Sequence, residues 1–117
     1  MKIEKFKIIN FIRELIIYID SNLENFPKKD IELKNRIRNN SYDLLEIAYL
    51  ANSSTNVNYK KEKIEEAIAK IKIIDFLLNL SYDKEIINSK KYIKFGNKID
   101  DIIKYMIGWL KSLENTK

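Results

Sequence analysis

Residues 89–113 read SKKYIKFGNKIDDIIKYMIGWLKSL, and their apolar side chains fall at Tyr92, Phe95, Ile99, Ile102, Met106, Trp109 and Leu113. Intervals of three and four residues gather these side chains on one face of an α-helix. The same spacing recurs upstream at Ile8, Ile12, Leu15, Ile16 and Ile19, at Leu33, Ile37, Ser41, Leu44, Leu45, Ala48 and Ala51, and at Ile64, Ala67, Ile68, Ile71, Ile74, Leu78 and Tyr82. Isoleucine is β-branched, yet its spacing here follows the helical period and not strand alternation.

Three short polar segments separate these stripes. Pro27 stops the first helix, predicted over about Lys2 to Ser21, and biases Phe26 away from helical geometry. Asp30 is placed to cap the second helix, Asn58 the third after the polar cluster 52–58, and Ser89 the fourth after a turn between Asp83 and Asn88. Helices of about 20 residues on short connections put sequential neighbours antiparallel, which predicts an all-α, up-down-up-down four-helix bundle. At 117 residues the chain reads as a single domain, 1–117.

More of each helix is apolar than one buried face requires. Residues 3–19 alone hold eleven apolar side chains, with Ile9, Phe11, Ile17 and Tyr18 outside the main stripe. The second helix adds Ile47, Tyr49 and Leu50, the third Ile73, Phe76 and Leu77, and the fourth Ile93, Ile103, Ile107 and Leu110. Soluble monomers seldom leave such faces uncovered, so a homo-oligomer is expected.

Composition removes most chemistry. With no histidine and no cysteine there is no imidazole base, no thiolate and no His-ligated metal, and the Glu-x-x-His pattern of di-iron bundles cannot be written. The carboxylate pairs Glu65-Glu66 and Asp100-Asp101 diverge around their helices and read as solvated faces paired to Lys61, Lys70, Lys98 or Lys104. Gly96 and Gly108 are isolated within a helix, so no phosphate-cradling loop exists. The expectation is a protein without catalytic residues, cofactor or metal. The longest apolar run, Leu15 to Ile19, is five residues against the roughly 20 of a membrane span, and Lys7, Asn10, Arg13 and Glu14 interrupt the N-terminal segment. We read a cytoplasmic protein with no membrane segment.

Charge leaves two readings. Lys and Arg number 22 against 17 Asp and Glu, a balance that suits a polyanion, although nineteen lysines in an Ile- and Asn-rich chain also arise from composition alone. Arg36 and Arg38, two of three arginines, open the second helix and offer planar forks for phosphate. They lie about 200° apart on the helix, so one can face a partner while the other braces a neighbour. With Lys28, Lys29, Lys34 and Lys111 they form the candidate surface for RNA or DNA. Gly108, beside the lone Trp109, lets a backbone approach and suits a helix or subunit contact.

Taken in order, Phe26-Pro27, Arg36-Ile37-Arg38-Asn39, a third helix rich in Lys and Glu, and the closing Ile107-Gly108-Trp109-Leu110-Lys111-Ser112-Leu113 resemble a known family over nearly the whole chain. It is that of the accessory variability determinant (Avd) proteins of diversity-generating retroelements, related to proteins encoded by intervening sequences in 23S ribosomal RNA genes. The resemblance implies a ring of five four-helix bundles, basic on part of its surface and without catalytic activity. It also implies association with a reverse transcriptase and with nucleic acid during mutagenic copying of template RNA into cDNA. The alternative is a self-assembling bundle of the ribosomal intervening-sequence type with no nucleic-acid role.

Overall fold

The computed structural model describes residues 2–114, with side chains from Lys7 onward, so the side chains of Ile3 and Phe6 lie outside the described residues. Four α-helices occur among them: α1 (Lys2–Asn22), α2 (Ile31–Ser53), α3 (Val57–Asp83) and α4 (Ser89–Glu114), with one 3₁₀ turn at Lys28–Asp30. No strand occurs among the described residues.

Each helix packs on two neighbours, α1 on α2, α2 on α3, α3 on α4 and α4 back on α1, most extensively between α2 and α3 and least between α1 and α4. Contacts across the interfaces fix the directions. Asp43 meets Lys70 at 3.6 Å and Asp30 meets Lys84 at 3.2 Å, so numbers fall along α2 as they rise along α3. Asn79 in α3 donates to the Tyr92 hydroxyl in α4 at 2.6 Å. The result is the antiparallel bundle that the loop lengths predict, 50 Å long and 23 by 19 Å across.

The stripes meet along the axis. Ile12, Leu15 and Ile19, Ile37 and Leu44, Ile64, Ile71, Ile74 and Leu78, and Phe95, Ile102 and Met106 are wholly buried. Ser41 also reaches the core, where its hydroxyl donates to the Arg38 carbonyl at 2.7 Å. Ser81 is buried in the same manner, donating to the Leu77 carbonyl at 2.9 Å, and it takes the stripe position expected of Tyr82, which is exposed. The buried arc is wider than one stripe because every helix is flanked on two sides. Ile9 and Ile47, read as outer residues, are therefore buried, and Phe11, Tyr18, Leu77, Ile103 and Leu110 pack against the core from its edge. What stays outside is Ile17, Tyr49, Leu50, Ile73, Phe76, Ile93 and Ile107, with Phe76 at 64% and Ile17 and Ile93 at 61% exposure.

The caps differ from their sequence positions by one or two residues. Asn56, not Asn58, caps α3 by accepting from the Tyr59 amide at 3.0 Å, and Asn88, not Ser89, accepts from the Lys91 amide at 2.8 Å at the start of α4. Asp30 occupies the cap position of α2 without capping it: its carboxylate is turned to Lys84, tying the α1–α2 connection to the α3–α4 turn. That turn is a Schellman motif. The Glu85 amide donates to the Tyr82 carbonyl and the Ile86 amide to the Ser81 carbonyl, each at 2.9 Å, with Glu85 at φ 61°.

A side chain in this left-handed conformation is strained by about 1–2 kcal/mol, partly offset in a glycine variant by the greater freedom of its unfolded chain. Glu85→Gly should therefore stabilise the protein by about 0.5–1 kcal/mol, read as a raised midpoint in urea unfolding. A lowered midpoint would show that the Glu85 side chain contributes more than its backbone strain costs.

Candidate nucleic-acid interface

Pro27 holds an extended backbone, φ −59° and ψ 149°, and the chain then tightens into the 3₁₀ turn that carries Lys28 and Lys29 into solvent. Lys34, Arg36 and Arg38 follow in the first turns of α2, so five of the six candidate cations share one end of the bundle. The sixth does not. Lys111 lies in the last turn of α4, at the end where α2 stops and α3 begins, about 30 Å away at the helical rise of 1.5 Å per residue. The end of each helix, not its charge, decides this: a sequence search for cations cannot see which termini are neighbours.

The two arginines divide as their angle on the helix requires. Arg36 stands in solvent, its side chain 69% exposed and 3.6 Å from Glu32 one turn back. Arg38 reaches across to α1, with Nε 3.4 Å from Asp20 and its terminal nitrogen donating to the Tyr42 hydroxyl at 3.3 Å. Tyr42 in turn donates to Asp20 at 3.4 Å. The hydrogen bond to Tyr42, then the fields of Tyr42 and Asp20, raise the Arg38 guanidinium above its ordinary value. Arg38 is thus a brace between helices, and Arg36 is the exposed arginine of the two.

At the opposite end Trp109 is nearly buried, and its indole nitrogen has no hydrogen-bond partner among the described residues. Beside it lies Lys60, a buried lysine whose ammonium donates to the Ala51 carbonyl at 2.9 Å and approaches that of Asn52 at 3.5 Å. The ammonium sits 5.9 Å from the Trp109 ring centroid. A cation here answers unpaired carbonyls and the negative end of the α2 dipole, and the ring face adds to its attraction. Sequence analysis missed Lys60, although a signal existed: it continues the stripe of Ile64, Ala67 and Ile71 in register. The close approach expected at Gly108 is absent within the chain, since no atom lies within 4 Å of where a Cβ would stand, and the same holds for Gly96.

The acidic pairs resolve differently from their expected partners. Glu66 pairs with Lys63 at 3.1 Å, Lys70 with Asp43, and Lys98 turns to the Tyr18 ring. Among the described residues no group of three or more carboxylates is placed to hold a metal ion. Asp75, on the exposed side of α3, is pushed above its ordinary value, first by partial desolvation and then by the charge of Asp100.

The fold and this surface define a class: an all-helical bundle of net positive charge with exposed cations at one end and large apolar side chains left outside its core. The family model described as bAvd-like matches residues 4–113, and the chain belongs to that family. The resemblance to accessory variability determinants thus holds over almost the whole chain. No curated protein matched, and no solved structure did.

Truncating the buried indole in Trp109→Ala should cost about 3–5 kcal/mol in chemical unfolding, whereas a change within error would place the ring outside the core. For Asp75 the folded value lies above the unfolded one, so stability falls as pH rises through that window and is regained below the ordinary carboxylate range. Asp75→Asn should therefore raise the thermal midpoint at pH 7 and lose that advantage in acid. An equal gain at both pH values would refute the carboxylate's role.

Proposed function

We propose that this protein is the non-catalytic accessory protein of a diversity-generating retroelement, acting in the cytoplasm without cofactor or metal. It assembles as a closed ring of five subunits that binds RNA or DNA and a reverse transcriptase, supporting mutagenic cDNA synthesis. Membership of the bAvd-like family over residues 4–113 carries this reading. Two physical features support it. Phe76, Ile17 and Ile93 need covering, which an assembly of like subunits would supply. Five copies of a chain with formal charge +5 would then sum to about +25, a field that draws polyanions far more strongly than one subunit does.

Within this reading, Lys28, Lys29, Lys34 and Arg36 form the contact surface at one end, while Gly108, open on the outside of α4, is free to meet a neighbouring subunit. Arg38 and Lys111 leave the surface, one as a brace and the other by position.

Light scattering should return the mass of five 14.0 kDa chains, about 70 kDa. Fluorescence anisotropy with a labelled oligonucleotide should show affinity falling steeply with salt, about 0.9 log units per log of salt for each duplex phosphate neutralised and about 0.7 for single strands. Arg36→Glu should weaken that binding at unchanged mass. A monomeric mass sinks the ring, and an assembled ring with no affinity at physiological salt favours the purely self-assembling bundle.

A further inference from the structure

The α1–α4 seam gathers lysines that no ion pair among the described residues occupies. Lys94 and Lys98, one turn apart on α4, both converge on the Tyr18 ring of α1, their ammonium groups 5.3 and 5.5 Å from its centroid. Farther along, Lys7 stands 6.0 Å over Tyr105, whose ring packs on Phe11 at 5.2 Å. The ion pairs among the described residues engage Arg36, Arg38, Lys63, Lys70 and Lys84, and none engages Lys7, Lys94 or Lys98.

Like charges one turn apart destabilise a helix, and here both are held at one ring. Tyr18 cannot move aside, because its edge-on contact with the buried Phe95 at 4.7 Å fixes it to the core. The folded chain therefore holds two cations at one ring with no carboxylate in ion-pair contact among the described residues, an arrangement an anion would relieve. Lys90 extends the row one turn toward the α4 N-terminus, so that Lys90, Lys94 and Lys98 repeat about every 6 Å along one helix edge.

We propose that this seam is a track for the phosphate backbone of a nucleic-acid strand, with Lys94 and Lys98 pre-gathered by Tyr18 and Lys7 farther along. The proposal rests on the nucleic-acid reading above and moves its principal contacts from the α2 end to the side of the bundle. A regular row of point charges suits the repeating charge of such a backbone, since lysine binds phosphate as a compact charge without demanding a fixed planar geometry. The seam also presents aromatic rings beneath its cations, which limits the rotamer freedom lost on binding.

The test compares the assembled wild-type protein with Lys94→Gln/Lys98→Gln and with the charge-keeping Lys94→Arg/Lys98→Arg. Probes are a labelled single-stranded RNA oligonucleotide, a DNA duplex, and polyglutamate as an acidic polypeptide. Removing two phosphate contacts should lower the log–log salt slope by about 1.4 on the single strand and about 1.8 on the duplex. The advantage of wild type over the Gln variant should then shrink about seven- to twelvefold between 50 and 200 mM salt, with the Arg variant close to wild type and the mass unchanged. Wild-type binding with an unaltered slope in the Gln variant overturns the seam and leaves the functional reading standing. Loss of binding together with loss of assembled mass assigns these lysines to assembly and overturns it too. Preference for polyglutamate over both oligonucleotides replaces the occupant, and no wild-type binding to any probe overturns both proposals.

Discussion

Four apolar stripes that must meet along one axis govern the rest of this molecule. Because isoleucine and leucine make up most of the buried side chains, the core has little room for a charged face, and every helix edge that flanks it becomes a seam between neighbours. The seams then sort the cations. Where a carboxylate stands opposite, as for Arg38 and Asp20 or Lys70 and Asp43, the cation is absorbed into holding helices together. Where an aromatic ring stands opposite, as for Lys94 and Lys98 over Tyr18, the charge is positioned but not neutralised.

Most of the fold was legible because the helical period is a global signal repeated in all four segments, and a stripe misread at one residue is corrected by the next. Caps were less legible. In the polar cluster 52–58 several residues can accept from a helix amide, and only the backbone shows that Asn56 is the one in place. Asp30 was placed at the right position and given the wrong role, since Lys84, fifty-four residues on, competes for its carboxylate. The candidate surface was half legible. Local spacing separated Arg36 from Arg38 correctly, but the partition of Lys111 from the other cations, and the convergence of α1 and α4 on Tyr18, depend on which helix ends and edges adjoin. Those are properties of the fold and not of any window of sequence.

Lys60 illustrates how one charge serves an otherwise apolar design. Helix α2 reaches its end with Ala51 buried, and a lysine from the opening turn of α3 answers the carbonyls of Ala51 and Asn52. Its alkyl stem fills the stripe position while its head group does the polar work. The same residue lies against the Trp109 ring, so the closing motif of α4 is coupled to the connection between α2 and α3.

Among the described residues the four interfaces are unequal, and α1 owns the two smallest. Helices α2, α3 and α4 form the firmer unit, and α1 closes over it as the element with least to lose by detaching. Local opening therefore begins there, at a free energy below that of global unfolding. A ligand that spans α1 and α4 binds only while α1 is docked, and by mass action it must hold that helix down. Occupancy of the seam and protection of the α1 amides from exchange are then a single equilibrium, which makes the first helix a reporter of whatever the bundle has bound.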